Sequence, residues 1–206
     1  MQGGRGDPFL RKTPETHRFL DHGCRPFVRY QPNRDYVSND DIQTPPALAR
    51  QLLDHFKPRG GVLEPCRGDG NIFRLLPAGS FWCEIKEDRD FFARDRPVDW
   101  IITNPPWSQV RRFLQHAMSI SENVVFLLTI NHVWTKARLL DIWAEGFGLR
   151  EIVLVDMPAS FPQSGFQLGA VLLERSWKGA VSLTDLTSHA GCAENPAKGE
   201  TANQRS

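Results

Sequence analysis

The chain lacks the marks of several large protein classes. Its four cysteines, Cys24, Cys66, Cys83 and Cys192, form no CxxC pair and no Cys/His cluster at ligand spacing, so neither a disulfide scaffold nor a metal site is expected. No apolar run approaches the ~18 residues of a membrane span. The opening MQGGRGDPFLRKTPE lacks the apolar stretch of a secretory signal. A cytoplasmic protein with no membrane partner is therefore expected. No GxxxxGK[ST] loop is present, which argues against an ATPase or kinase of that class. Charge of one sign is missing too: 25 basic residues face 24 acidic ones, for a net charge of +1. Bulk electrostatics thus gives no announcement of a nucleic-acid binder.

What remains is the composition of a globular chain, 40% hydrophobic and 24% charged over 206 residues, a length suited to one domain plus appendages. Residues 1–39 have no sustained period of 3.6 or 2 and carry seven Lys/Arg against four acids. They read as an irregular basic arm, either solvated or in contact with phosphates. Residues 179–206 are rich in Ser, Thr, Ala, Asn and Gly and read as a disordered tail. Between them, residues 40–178 alternate strand and helix signals. Thr44 followed by Pro45 predicts a helix start with a hydroxyl cap, and Leu48, Ala49, Leu52, Leu53 and Phe56 form its apolar face. Strands are predicted at 61–65, 81–85, 99–103 and 123–130, the last (NVVFLLTI) apolar enough to be buried on both faces. Helices are predicted after Ser108, where apolar residues recur at i, i+3, i+4, i+7 and i+8, and at 135–145. Two final β-rich runs, 149–157 and 166–175, suggest an antiparallel hairpin. The fold expected is α/β, a mostly parallel sheet covered on both faces, with ligands at the carboxyl ends of its strands.

Three unusual stretches fall at such ends. The loop Glu64-Pro65-Cys66-Arg67-Gly68-Asp69-Gly70 allows positive φ and close backbone approach to a nucleotide-like ligand, and equally serves as a plain connection. Glu84 could accept hydrogen bonds from ribose hydroxyls or stand solvated at a strand end. Asp90-Phe91-Phe92 sets an acid beside aromatic faces that could bind a purine, or it is a short strand with core phenylalanines. Asn104-Pro105-Pro106-Trp107 is the most specific. Two prolines give a rigid turn poor in donors. The Asn104 carboxamide oxygen and the Pro105 carbonyl could accept from one amino group, with Trp107 offering a flat face. Together the four residues describe a clamp for a planar amine. His132 and Trp134 lie on the same presumed edge, where a packed turn accounts for them, and 161–169 (FPQSGFQLG) could overhang it.

Ile42-Gln43-Thr44-Pro45 with Leu48-Ala49, the 63–70 loop, Trp82-Cys83-Glu84-Ile85, Asp90-Phe91-Phe92 and the run into Asn104-Pro105-Pro106-Trp107 resemble, in order, the motifs of S-adenosylmethionine-dependent amino-methyltransferases. The order resembles the gamma arrangement of DNA adenine N6-methyltransferases, and small phage and prophage enzymes of this kind look most similar. The resemblance covers residues 41–177 and implies a Rossmann-like seven-stranded fold, with residues 40–178 as the catalytic domain. It implies S-adenosyl-L-methionine as cofactor, DNA as substrate, a monomer, and the bacterial host cytoplasm as location. Thr44 and Pro45 would lie by the methionine end of the cofactor, and Glu64, Pro65, Cys66, Gly68 and Gly70 would form its loop. Glu84 would hold the ribose, Asp90 the adenine amino group and Phe91 the adenine face. Asn104, Pro105, Pro106 and Trp107 would form the catalytic turn. Cys66 departs from the glycine found in many relatives, and only five residues separate Glu84 from Asp90, too few for the usual helix. A target-recognition domain of the size seen in restriction-linked enzymes is missing. An RNA adenine, a protein glutamine amide or a non-catalytic nucleic-acid-binding role would be the alternatives.

Overall fold

In the computed structural model, residues 40–188 are described; the basic arm at 1–39 lies outside them. A seven-stranded sheet runs through the fold: β1 Val62–Glu64, β2 Phe81–Trp82, β3 Val98–Thr103, β4 Ser121–Thr129, β5 Phe147–Leu154, β6 Leu168–Arg175 and β7 Ser182–Asp185. Their order is β2-β1-β3-β4-β6-β5-β7. All neighbours pair in parallel except those of β6, which is antiparallel to both β4 and β5. The mostly parallel sheet and its closing hairpin are as expected. The chain runs from β1 to β2 on one side and then to β3 on the other, which makes the β1/β3 boundary a topological switch point, where such sheets open a crevice.

Helix α1 (Pro46–Phe56) covers one face, through Leu48, Ala49, Leu52, Leu53 and Phe56. Helices α2 (Val110–Ile120) and α3 (Lys136–Ala144) lie on the other. Strand β4 divides its side chains between the two cores, Val124, Phe126 and Leu128 to one and Val125 and Leu127 to the other, the period-two alternation of a strand buried on both sides.

Three expectations change. The cap of α1 is Pro45, not Thr44, and makes no side-chain cap bond; Pro46 holds the first helical position. Thr44 is instead buried, its carbonyl accepting from Asn71 Nδ2 at 2.9 Å. Strand β2 ends at Trp82, although Cys83 N still donates to the Glu64 carbonyl (2.9 Å) and Arg67 N to the Cys83 carbonyl (3.0 Å). Finally, Ser182–Asp185, placed by composition in a disordered tail, forms edge strand β7 in parallel with β5. Its side chains are mostly exposed, so backbone pairing rather than apolar content holds it, and composition could not reveal it. The remaining tail, 189–206, lies outside the described residues. No described helix is long and apolar enough to cross a membrane.

The end of α2 and the start of β4 are tied by Arg175 on β6, whose Nη2 donates to the carbonyls of Met118 (2.6 Å) and Ser121 (2.8 Å), while Nε reaches Glu122 (3.0 Å). Hydrogen bonds from a charged donor contribute about 1.5–3 kcal/mol each. Arg175→Met is expected to lower stability by about 1–3 kcal/mol, read as a reduced urea midpoint at unchanged m.

Candidate functional site

The carboxyl ends of β1, β2 and β3 meet around a cavity of about 450 Å³, within the range of small-molecule sites. Of the residues singled out by sequence, Thr44, Glu64, Pro65, Cys66, Gly68, Glu84, Asp90, Phe91, Asn104 and Pro106 line it. Pro45, Gly70, Pro105 and Trp107 do not form part of its wall.

The glycine loop leaves β1 at Glu64 and turns at Gly68 (φ +48°) and Gly70 (φ +79°), conformations that exclude most side chains. A Cβ on Gly68 would collide with the Gln43 side chain, whose Oε1 accepts from Asp69 N at 2.9 Å. Glu84 faces this loop from the end of β2. It is buried, with Oε2 accepting from Gly68 N (2.8 Å) and Oε1 from Lys86 N (3.1 Å). A carboxylate has about four lone-pair sites, so capacity remains for ligand hydroxyls.

The short gap between Glu84 and Asp90 is closed without a helix. A 3-10 turn, Ile85–Glu87, is pinched off by an antiparallel bridge between Glu84 and Arg89, which returns the chain to the cavity wall. Asp90 then accepts from Phe92 N at 2.9 Å and opens a second turn, Phe91–Ala93. Phe91 is 3% exposed and stacks on Phe113 at 5.4 Å between centroids. His116 Nε2 donates to the carbonyls of Phe91 and Arg94, both at 3.0 Å, and pins this turn to α2. Phe91 is thus a core phenylalanine on a 3-10 turn, not on a short strand, and it also lines the cavity.

Asn104 follows β3 directly. Its Nδ2 donates to the Ile42 carbonyl at 3.0 Å, while its Oδ1 is buried with no partner among the described residues. A backbone carbonyl can only accept, so the amide nitrogen must face Ile42 and the oxygen must face away. The result is a hydrogen-bond acceptor shielded from water on a side chain that lines the cavity. Pro105 is buried, and the Pro106 carbonyl accepts from Gln109 N at 3.0 Å. Trp107 turns elsewhere: its Nε1 donates to the Leu127 carbonyl (3.3 Å), and its ring packs against Phe161 and His132, 5.9 and 6.0 Å away. The segment between β5 and β6 thus reaches the 104–107 turn through Phe161. Burial, aided by Arg138, pulls the His132 pKa below its usual value and favours the neutral imidazole.

Glu64 is the electrostatic singularity. It is 2% exposed, and its Oε2 is buried without a partner among the described residues. Burial pushes its pKa up to about 9, with the Glu84 charge adding to the rise; the Phe73 backbone N–H, Arg67 and Arg74 only partly offset it. Near neutral pH it carries a proton, and a cationic or donor-rich ligand is what would draw that proton off. Cys66, on the same wall, has its thiol pushed far up by burial, so it is no nucleophile.

Sequence reading missed Asp40, Asp41, Asn71, Lys86 and Gln109, all on the wall. The doublet Asp40-Asp41 stands directly before the Ile42-Gln43-Thr44-Pro45 motif, and that adjacency is the one signal it offered.

Two of three comparisons returned nothing: no family model matches, and no curated protein is similar enough in sequence to match. Solved structures do match. A candidate RNA methyltransferase from Pyrococcus horikoshii aligns at TM-score 0.53 and 17% identity, over 66% of this chain and 87% of that one. A candidate class I S-adenosylmethionine-dependent methyltransferase from Listeria monocytogenes aligns at 0.52 and 14%, over 75% and 68%. The modification subunit of a candidate type I restriction enzyme from Vibrio vulnificus aligns at 0.50 and 14%, over 73% of this chain and about half (48%) of that one. The chain therefore has the α/β, Rossmann-like fold of methyltransferases. At these identities the fold is what is shared.

The Glu64 pKa gives a test that needs no ligand. Its folded-state value lies above the ordinary carboxyl value of 4.5, so its contribution to stability is full below pH 4.5 and is lost as pH rises towards 9, at up to about 1.4 kcal/mol per unit. Glu64→Gln, which mimics the protonated form, is expected to match the parent at pH 4.5 and to melt several degrees higher at pH 8. Parallel melting curves across that window would exclude a buried, protonated Glu64.

Proposed function

We propose that the protein is an S-adenosylmethionine-dependent methyltransferase that acts on the exocyclic amino nitrogen of adenine in DNA. The observation that carries this reading is the Asn104 carboxamide, oriented by Ile42 so that a buried, unpartnered oxygen is left at the mouth of β3. A buried acceptor without a donor costs about 1–3 kcal/mol, a cost a bound amine would remove.

The cavity suits the cofactor on two counts: its volume and a buried carboxyl at Glu64 suited to a positively charged ligand. Thr44, Glu64, Pro65, Cys66 and Gly68 would hold its methionine part, with Pro45 and Gly70 shaping the loop and helix start behind them. Glu84 would hold the ribose hydroxyls, and Asp90 and Phe91 the adenine. Bound there, the cofactor supplies an electrophilic methyl group on a sulfonium.

The acceptor is the harder partner, because the lone pair of an aromatic amine is conjugated into its ring. Asn104 Oδ1 accepts one N–H of that amine and the Pro105 carbonyl accepts the other. Together they favour a tetrahedral nitrogen whose lone pair points at the methyl group. The effect is positioning and electrostatics in a water-shielded site. The amine loses its proton after it becomes cationic, so no strong base is required. A duplex adenine has to leave its stack first, and stacking on an aromatic such as Trp107 returns about 1–3 kcal/mol. For that, the Trp107 ring must present a face beside its contacts with Phe161 and His132.

Labelled cofactor incubated with DNA, RNA and protein, followed by identification of the modified group, tests the reading: methylation of DNA adenine N6 is expected. Label on RNA or on a glutamine amide would replace this acceptor, and no transfer at all would defeat the reading. Asn104→Ala is expected to reduce turnover at least 100-fold while the cofactor dissociation constant stays within about threefold, by calorimetry.

A further inference from the structure

The segment 40–44 crosses the mouth of the cavity as an extended strap with no regular structure of its own, and its bonds go to catalytic and loop residues rather than to a neighbouring strand. The Asp40 carboxylate accepts from Ser108 N at 3.3 Å and from the Ser108 hydroxyl. The Ile42 carbonyl accepts from Asn104 Nδ2 at 3.0 Å. Gln43 Oε1 accepts from Asp69 N (2.9 Å), and the Thr44 carbonyl from Asn71 Nδ2 (2.9 Å). Asp41 adds an ion pair with Lys86 at 2.7 Å. The strap therefore runs antiparallel to the 104–108 turn, clipped to it at both ends, and then continues onto the glycine loop.

This arrangement has a chemical consequence at one atom. Rotation about the terminal bond of an asparagine exchanges its oxygen and nitrogen, and only hydrogen bonding separates the two orientations. The single described partner of the Asn104 amide is the Ile42 carbonyl. Without it, nothing described selects the orientation that leaves the oxygen free. Reversed, the side chain would present two N–H donors to an amine that is itself a donor.

From this geometry we infer that the strap is the orienting element of the reaction proposed above, with Ile42 and Asp40 as positioning residues: Asp40 holds the strap on Ser108 so that the Ile42 carbonyl keeps the Asn104 nitrogen engaged and leaves its buried oxygen for the ligand. Neither residue touches the reacting atoms. The inference rests on the methyltransferase reading for its effect on rate, but the orientation of Asn104 can be observed without any reaction. The contacts of Gln43 and Thr44 hold the other end of the strap on the loop that would carry the cofactor, so release at Asp40 leaves that end anchored.

The test uses the full chain labelled with 15N, the Asn104 side-chain amide being assigned by its disappearance in Asn104→Asp. In the parent, one Nδ2 proton is expected to be shifted downfield and slow to exchange. Asp40→Ala is expected to speed that exchange at least tenfold and to lower kcat on DNA at least tenfold, with the cofactor dissociation constant within threefold. Asp40→Asn, which keeps one acceptor for Ser108, is expected to restore most of both. Ser108→Ala serves as the second variant should Asp40→Ala fail to fold, with the same direction and a smaller change. An Asn104 amide signal and kcat that stay at parental values in a folded Asp40→Ala or Ser108→Ala protein would overturn the inference. If the parent transfers no methyl group to DNA while its amide signal still responds to strap release, the functional reading falls and the positioning role stands.

Discussion

A carboxamide is held with its oxygen ready for a ligand when an acceptor elsewhere engages its nitrogen. At Asn104 that task falls to one backbone carbonyl, contributed by a segment sixty-two residues earlier in the chain. The two parts meet because the parallel pairing of β1 with β3 places the end of β3 beside the loop leaving β1, and the strap enters α1 across that same opening. The proposed chemistry thus depends on a long-range hydrogen bond between two irregular segments, each braced by regular ones. Such a site stays narrow in geometry while its surface remains open to a ligand.

The rest of the cavity is arranged around unmet polar demand. Glu64 and Asn104 sit at the ends of neighbouring strands, each with a buried oxygen that no donor among the described residues reaches. Buried polar atoms of this kind are uncommon, and two on adjacent strands of a single crevice point to a ligand that supplies what the protein withholds. The two differ in what they would accept. Glu64 holds its own proton in the free protein because burial disfavours its charge, which suits exchange for a positive charge. Asn104 remains neutral and suits an amine.

Aromatic placement divides into two groups. Phe91, Phe92, Phe113 and His116 form a cluster that anchors one wall of the cavity to α2. Trp107, Phe161 and His132 form another, beside the Asn104 turn but outside the cavity wall. The first group gives stiffness to a stretch too short to hold a helix. The second ties the β5–β6 connection to the proline turn, so a segment without an obvious role in the sequence becomes a neighbour of the clamp.

Much of this was legible in the sequence. The alternation of apolar faces yielded the mostly parallel sheet, its buried central strand β4 and the antiparallel hairpin, because burial on one or both faces writes its period directly into the residues. Glycine and proline marked the loop after β1 and the turn after β3, because those backbones admit few other residues. Tertiary structure alone decided the rest. Edge strand β7 is held by backbone bonds that carry no apolar signature. Pro45 is the cap, its carbonyl accepting from Ala49 N, while the Thr44 carbonyl accepts from Asn71. The orientation of Asn104 came from a carbonyl, which every residue possesses and no sequence pattern can reveal.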